Sequence, residues 1–203
     1  MKSLEEVSRQ VRICTDCPLS EHRTNAVPGE GPANASIMLI GEGPGFHEDK
    51  QGRPFVGASG RFLDQLIVSA GLKREELFIA NVVKCRPPNN RDPQPEEIAA
   101  CRKYLDRQIG LINPKVVVTL GRYSMARFFP NQTIGKIRGK ARNIDGRLIY
   151  PMYHPAAALH NQSLRTVIEE DFKAVSDLTQ HDFDRGSSEK STVQQLKMFS
   201  QDT

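Results

Sequence analysis

Three polar side chains in the sequence follow or interrupt apolar segments. Glu42 comes directly after "SIMLIG", Asn81 lies within "LFIANVVKC", and His154 follows "RLIYPMY". A carboxylate can position a water molecule or stabilise a cation, and an asparagine amide can both donate to and accept from the edge of a base. The proline that follows His154 imposes an extended backbone, from which the imidazole ring can reach over a sheet edge. These residues predict a pocket that acts on a small planar ligand.

The glycine-rich segment Gly41–Gly57 allows two interpretations. A dinucleotide site needs glycines that open a helix, but Pro44 and the acidic residues after it make a poor helix start, and no Walker lysine follows. We therefore interpret the segment as a pocket wall, in which backbone N–H groups near Gly43 face the ligand and Phe55 stacks on its ring. We expect Glu48 and Asp49 to lie in a solvated turn.

Each of these residues also has a purely structural interpretation. Phe55 could be a core aromatic, Asn81 could cap a strand end, and His154 could be a buried histidine with all its hydrogen bonds satisfied. Their occurrence in one chain, each near a strand end, favours the functional interpretation.

Four cysteines make up a second candidate site. Cys14 and Cys17 form a C-x2-C pair, while Cys85 ends a predicted strand and Cys101 lies on the next predicted helix. Four thiolates suit tetrahedral zinc or an iron–sulfur cluster, and the spacing does not distinguish the two. The alternative is a chance C-x2-C pair with two buried free thiols.

Apolar runs and helical periodicities alternate along the chain. We predict strands at 36–41, 77–85, 115–121 and 147–155, and helices at 4–13, 57–71, 95–113, 122–129 and 164–178. Such alternation predicts an α/β fold whose parallel sheet has helices on both faces. Ligands of these folds bind beyond the carboxyl ends of the strands, where the three polar residues should meet.

Composition limits the possible settings of the protein. The chain carries a net charge of +4, which permits a polyanionic partner without requiring one. No apolar stretch reaches about 18 residues, so we expect no membrane span. The N-terminus lacks a signal-peptide core, which predicts a cytoplasmic protein. We expect one domain over 1–178 and a polar, disordered tail over 179–203.

Four segments together resemble the family 4 uracil-DNA glycosylases, the iron–sulfur type of bacteria and archaea. They are "GEGPGFHED", "GRPFVG", "NVVKCRPP" and "HPAAAL", combined with the four cysteines. The resemblance extends over roughly residues 11–178. It implies a three-layer α/β/α fold with a four-stranded parallel sheet. It also implies a [4Fe–4S] cluster on Cys14, Cys17, Cys85 and Cys101 that supports structure or positions a DNA loop.

The same resemblance implies a reaction and roles for the pocket residues. Uracil would be flipped out of DNA and its bond to deoxyribose hydrolysed, leaving an abasic site. Glu42 would orient water or stabilise the sugar cation, and His154 would hydrogen-bond uracil O2. Asn81 would pair with O4 and N3–H. The remaining implied contacts are stacking by Phe55, backbone donors near Gly43, and crowding of a thymine methyl by Glu48.

Contacts with DNA follow partly from the resemblance and partly from charge. Leu159 is implied as the wedge that fills the gap left by the flipped base. In "KIRGKAR", an extended backbone would place Lys136, Arg138 and Lys140 on one face along the phosphates, although a solvated loop is equally compatible with the sequence. Arg86 and Arg91 are further candidates.

The resemblance also bears on turnover and assembly. A related branch traps the sugar on a histidine between the last two cluster cysteines, but "RPPNNRDPQPEEIAA" contains none, so we expect ordinary turnover. His160 stands where relatives often carry arginine. We expect a monomer that acts on uracil-containing DNA, either single- or double-stranded.

Three other functions remain compatible with parts of the sequence. A non-catalytic nucleic-acid-binding module with a metal knot would not need Glu42, Asn81 and His154 together. A related glycosylase could act on mismatched thymine or deaminated purines, although Asn81 favours uracil. An electron carrier would need a second redox partner, and no residue pattern indicates one.

Overall fold

The computed structural model describes residues 3–178, so the predicted tail at 179–203 lies outside the described residues. The strands are β1 Ile37–Gly41, β2 Phe78–Asn81, β3 Val116–Leu120, β4 Arg142–Ile144 and β5 Arg147–Met152. The helices are α1 Leu4–Ile13, α2 Leu19–His22, α3 Phe46–Gln51, α4 Ala58–Ser69, α5 Pro95–Ile112, α6 Arg122–Ala126, α7 Ile134–Ile137, α8 Ala156–His160, α9 Ser163–Lys173 and α10 Val175–Leu178. Short 3-10 turns occupy Arg74–Glu76 and Pro88–Asn90.

The five strands form one sheet in the order β2-β1-β3-β5-β4. The first four strands of this order are parallel, as predicted, and β4 pairs antiparallel with β5. The sequence analysis missed β4, which has three residues and is joined to β5 by Asp145-Gly146. Both turn residues have positive φ (52° and 76°), which is the two-residue hairpin that an Asp-Gly pair favours.

The side chains of β1 alternate between two apolar cores. Met38 and Ile40 face the core formed with α1 and α5, whereas Ile37 and Leu39 face the core formed with α4 and α9. Helices therefore cover both faces of a buried sheet, which confirms the predicted α/β/α layering. Within residues 3–178, no helix combines the length and the hydropathy needed to cross a bilayer.

Several element boundaries differ from those predicted. β2 ends at Asn81 rather than continuing to Cys85, and the closing helix is interrupted at Ala174. Of the two alternatives left open for 136–142, a regular extended conformation is not observed, because α7 includes Lys136 and Gly139 has a φ of +68°. The solvated turn predicted at Glu48 and Asp49 is also wrong: both residues are buried on α3.

Helix α4 packs very closely on the backbone of Phe55 at Gly60. A Cβ atom on Gly60, in α4, would lie 2.1 Å from the carbonyl carbon and oxygen of Phe55. Only glycine allows α4 to pack directly on this backbone. A methyl group there must displace either the helix or the Phe55 loop.

We predict opposite effects for alanine at two helical glycines. Gly60→Ala should lower the free energy of unfolding by about 1–3 kcal/mol through overpacking. Gly110→Ala is the matched control, because Gly110 lies in α5 with nothing within 4 Å of a new Cβ, and it should raise stability by up to about 1 kcal/mol. Urea denaturation measures both. Equal effects at the two positions would contradict the close packing of α4 on Phe55.

Candidate functional site

A cavity of about 470 Å³ opens at the carboxyl ends of β1, β2 and β5. Its wall includes all six residues predicted for ligand binding or chemistry: Glu42, Gly43, Glu48, Phe55, Asn81 and His154. A volume of this size is within the range of small-ligand sites. The fold thus brings together side chains that are more than 100 residues apart in the sequence.

Phe55 forms one apolar wall of this cavity in an unusual backbone conformation. Its φ is +51°, a region that bulky residues rarely adopt, and the side chain is only 4% exposed. The ring lies nearly parallel to the imidazole of His154, with 5.6 Å between centroids and 27° between planes. A flat ligand could therefore contact an aromatic surface that is already fixed in place.

Glu48 holds the Phe55 loop. Its Oε1 atom accepts hydrogen bonds from the backbone N–H groups of Val56 (2.8 Å) and Gly57 (2.7 Å). Arg74 supports the same loop by donating to the carbonyl oxygens of Pro54 (2.7 Å) and Phe55 (3.3 Å). A carboxylate with backbone partners at such distances is a structural anchor as well as part of the cavity wall.

Asn81 presents an unsatisfied amide to the site. The residue is 2% exposed, and its Oδ1 atom has no hydrogen-bond partner among residues 3–178. Gly41 makes room for this side chain, since a Cβ there would lie 2.4 Å from that oxygen. Leaving a buried polar atom unpaired costs about 1–3 kcal/mol, so this arrangement is typical of an atom that binds a ligand.

His154 is a neutral hydrogen-bond donor at physiological pH. The backbone N–H of Ala156 donates to its Nδ1 atom (3.1 Å), so the proton of the neutral ring is assigned to Nε2. Burial lowers the pKa of His154 to about 4, against the opposing effect of the nearby Glu48 charge. The side chain of His154 is partly exposed, and its exposed part lines the cavity rather than the outer surface. The surrounding protein therefore limits the solvation of the charged imidazolium.

Glu42 is the other titratable group at the strand ends. Burial raises the pKa of its carboxyl group, the Asp92 charge raises it further, and Arg122 lowers it. Asp92 lies on the cavity wall and forms an ion pair with Arg122. The charges of Asp92 and Arg122 thus act on Glu42 in opposite directions. The Glu42 residue itself lines the cavity.

The four cysteines surround a second, smaller cavity. Arg23 Nη1 donates to the sulfur of Cys85 (3.1 Å), and the backbone N–H of Lys84 donates to the sulfur of Cys101 (3.3 Å). Burial raises the pKa of Cys101 to about 11 and also raises that of Cys85. Four sulfurs with N–H donors behind them are a suitable donor set for a metal centre, whose binding would displace the thiol protons.

A single-ion site is not formed by this arrangement. Among the residues that the structure describes, no three histidine, cysteine or acidic side chains are grouped closely enough to hold one ion. Tetrahedral zinc needs sulfurs about 3.8 Å apart, from a Zn–S distance of about 2.3 Å.

The predicted DNA contacts differ in exposure and in the partners that they already have. Leu159 is 46% exposed on α8, next to the cavity-lining His160. Lys136 and Lys140 are exposed, whereas Arg138 forms a two-oxygen ion pair with Asp171 (2.8 and 2.9 Å). The Asp171 carboxylate thus offsets the charge of Arg138, although both bonds come from Nη1 and leave the Nη2 and Nε donors of the guanidinium.

Other predicted arginines have partners too. Arg91 lines the cavity and pairs with the buried Glu97 (2.6 Å), and Arg86 donates to Asn90 Oδ1 (2.7 Å). The sequence analysis did not single out Asp92, Asn90 or Ser59, although all three line the cavity. The Pro-rich loop 86–95 is the signal that could have indicated the first two, because loops at strand ends build such sites.

Lys84 was also missed by the sequence analysis. It is 1% exposed, and its Nζ donates to the carbonyl oxygen of Asn81 (2.8 Å) and to Gln108 Oε1 (2.7 Å). The sequence around Lys84, two valines before it and a cysteine after it, does not indicate that the side chain is buried. It also does not indicate the partner Gln108, which lies on α5.

Comparison with known proteins identifies the family. The family model of the uracil DNA glycosylase superfamily matches residues 28–177. The type-4 uracil-DNA glycosylase of Sulfurisphaera tokodaii is 52% identical over 188 residues, covering 88% of this chain and 86% of the relative. That of Thermotoga maritima is 47% identical over 175 residues, covering 84% and 91%. The chain belongs to the type-4 uracil-DNA glycosylases.

Type-5 relatives match less of the chain. The type-5 uracil-DNA glycosylase of Thermus thermophilus is 40% identical over 114 residues, which are 49% of this chain and 52% of the relative. The family resemblance inferred from the sequence motifs is therefore confirmed at the level of the type-4 group. All four cysteines and all six predicted pocket residues lie within the part of the chain that the structure describes.

We predict that His154 makes stability depend on pH. An unfolded histidine has a pKa of about 6.5, so between that value and about 4 the unfolded chain binds a proton that the folded chain does not. Stability should thus fall as pH drops through this window, by at most about 3 kcal/mol from this group. His154→Asn should flatten the dependence. Urea denaturation between about pH 4.5 and 7 compares the two proteins, and parallel curves would show that His154 is not the group responsible.

Proposed function

We propose that this protein is a monofunctional uracil-DNA glycosylase, which hydrolyses the bond between uracil N1 and deoxyribose C1′ and leaves an abasic site in DNA. The single observation that supports this most is the unpaired, buried Oδ1 of Asn81 in a cavity shared with a neutral His154. An enclosed site of this kind admits one base only after it has left the stack. We further propose that the protein acts as a monomer.

Recognition in this proposal depends on Asn81 and Phe55. The Asn81 amide pairs with uracil, its N–H donating to O4 and its Oδ1 accepting from N3–H. Cytosine offers the opposite pattern at both positions and would leave buried groups unpaired. The Phe55 ring stacks on the base, and the backbone near Gly43 supplies further donors. Glu48, anchored against the Phe55 loop, restricts the room for a thymine methyl.

Catalysis in this proposal divides between two charges that develop as the bond breaks. The bonding electrons leave with uracil, whose O2 gains negative charge and accepts a hydrogen bond from the Nε2–H of His154. The sugar becomes cation-like, and Glu42 stabilises it or orients the water whose oxygen bonds to C1′. The water proton is released as uracil takes one up. A neutral histidine can fill this role, because its Nδ1 accepts from Ala156 and its Nε2–H is then the donor left for the base.

Cys14, Cys17, Cys85 and Cys101 are proposed to hold a [4Fe–4S] cluster. The supporting observations are the cavity that the four cysteines share and the N–H donors to Cys85 and Cys101. The cluster would supply structural support to the segments that carry Asn81 and Arg86 rather than electron transfer. We propose that Leu159 fills the gap left by the flipped base, with Arg86, Lys136, Arg138 and Lys140 near the phosphates.

A base-release assay tests the proposed function. The protein is incubated with an end-labelled oligonucleotide containing one uracil, and abasic sites are revealed by hot alkali, with a thymine oligonucleotide as control. We expect cleavage at uracil only. His154→Ala should reduce the single-turnover rate about 100-fold or more, because one anion-stabilising donor is lost. Asn81→Asp should reduce it by at least about 100-fold, since the group facing O4 loses its donor.

The matched control for Asn81→Asp is Asn131→Asp, an exposed position outside the cavity, which should keep the parental rate. The Asn81→Asp protein is also tested on cytosine, which a protonated or charged carboxyl could accommodate. Unchanged rates in both pocket variants would remove these residues from the mechanism. A folded, iron-loaded protein without cleavage at uracil would refute the proposed substrate.

Cys85→Ser tests the cofactor. We expect this variant to lose the brown colour and to fall below about one iron per chain, with a lower thermal midpoint, because the buried cavity loses its cross-link. Iron and zinc are measured together by elemental analysis on the parental protein and on the variant. Zinc in place of iron in the parental protein would contradict the cluster, and full iron in Cys85→Ser would exclude this cysteine as a ligand.

A further inference from the structure

Phe46 has a large apolar side chain exposed beside the first cavity. It is the first residue of α3, and its side chain is 48% exposed, whereas Phe55 nearby in the sequence is buried. The preceding residues Pro44 and Gly45 line the cavity. Consecutive Cα atoms are about 3.8 Å apart, so the backbone of Phe46 lies at the cavity rim. The buried face of α3 is formed by Glu48 and Asp49, and Phe46 therefore contributes little to the core.

Two cations lie over the Phe46 ring. The guanidinium carbon of Arg86 is 5.2 Å from the ring centroid, and the ammonium of Lys50 is 5.8 Å from it. Arg86 is fixed by donating to the neutral amide oxygen of Asn90, a residue that also lines the cavity. Its positive charge is therefore not neutralised by this bond. We call Phe46, Arg86 and Lys50 the Phe46 patch.

The chemistry of the Phe46 patch matches that of one nucleotide. An exposed aromatic face stacks on any base, and adjacent cations attract the phosphate that follows it. A guanidinium packed on a ring extends the flat surface and keeps its N–H groups at the edge. The exposed Lys50 chain, at the longer distance, can turn from the ring to a phosphate at little cost.

The position of the patch identifies which nucleotide it would hold. Leu159 and His160 belong to α8, whereas the Phe46 patch belongs to α3 and the loop after β2. The cavity wall includes His160 of α8, Glu48 of α3 and Asn90 of the loop after β2, so a strand whose base enters the cavity passes near both surfaces. A nucleotide next to the flipped one is then within reach of Phe46.

We propose that Phe46 stacks on a base adjacent to the flipped uracil, while Arg86 and Lys50 bind the neighbouring phosphate. This proposal rests on the proposed function and adds a subsite to it. The subsite holds the strand at the cavity mouth during extrusion of the uracil. Because every base has a flat face, recognition at this subsite is independent of sequence.

The test is a binding measurement on full-length protein. The probe is a fluorescent single-stranded oligonucleotide whose uracil nucleotide carries a 2′-fluorine, which slows hydrolysis by disfavouring the sugar cation. Kd is measured by anisotropy for the parental protein and for Phe46→Ala, Phe46→Leu and Phe46→Trp. Val68→Ala, which changes another exposed apolar residue (74%) on α4, is the control.

We expect Phe46→Ala and Phe46→Leu each to raise Kd about tenfold, as loss of one base–aromatic stack does. Phe46→Trp should stay within about twofold, since stacking is retained. A general apolar contact would instead tolerate leucine. An unchanged Kd in Phe46→Ala, or full binding by Phe46→Leu, would overturn the proposal.

A second set of probes locates the stacked base. A tetrahydrofuran spacer replaces the nucleotide on the 5′ or the 3′ side of the uracil. On one side, the spacer should weaken binding by the parental protein about tenfold but leave Phe46→Ala unaffected, because the stack is already lost. Equal losses in both proteins would overturn the proposal. Failure of the proposed function appears differently, as absence of uracil release by the unchanged protein.

Discussion

The buried ammonium of Lys84 connects the two cavities of this fold. Its Nζ donates to the carbonyl oxygen of Asn81, and its backbone N–H donates to the sulfur of Cys101. Gln108 completes the arrangement by accepting from Nζ and donating to the carbonyl oxygen of Pro28 (2.7 Å). Burial lowers the pKa of Lys84 to about 8, against the opposing effect of the nearby Cys101 thiol, and the two oxygen partners satisfy the donors of the buried Nζ. The end of β2 is thereby fixed to α5 and to the cysteine-lined cavity.

Through Lys84, the cysteine-lined cavity is mechanically connected to the pocket that contains Asn81. This connection is structural and does not involve electron transfer. The segment from Asn81 to Cys85 contains a pocket residue at one end and a thiol at the other. Any group that draws Cys85 and Cys101 together also fixes the turn on which the Asn81 amide depends. The pocket amide is unpaired within the protein, so its orientation has to come from its backbone and from Gly41.

The second constraint is the strained Phe55 loop. A bulky residue with positive φ costs about 1–3 kcal/mol, and the loop keeps it because Glu48, Arg74 and Gly60 act on the same backbone. Glu48 accepts two N–H bonds there, which are charge-assisted and stronger than neutral ones. The flat wall of the pocket is thus set before any ligand arrives, and binding need not supply the ordering entropy.

The sequence predicted the parallel strands and the long helices because their apolar patterns are local. Partners across the fold are not local. Glu48 and Asp49 were expected in solvent because acids usually are, whereas Asp49 accepts from the backbone N–H of Thr24 (2.8 Å) and Glu48 from that of Val56. Lys84 was missed for the same reason. The Asp145-Gly146 turn, by contrast, was a local signal that was available and overlooked.

The pocket residues were predicted as a set because the carboxyl ends of parallel strands converge, and that rule places side chains without saying how each is held. Their chemical state comes from second partners that the sequence pattern does not reveal. His154 is a neutral donor because the backbone N–H of Ala156 occupies Nδ1 and burial disfavours the cation. Asn81 Oδ1 has no hydrogen-bond partner among the described residues, while Lys84 holds the backbone carbonyl of the same residue. The donor, Nε2–H of His154, and the acceptor, Oδ1 of Asn81, belong to residues that line the same cavity. A base that binds there has to offer an acceptor to His154 and a donor to Asn81.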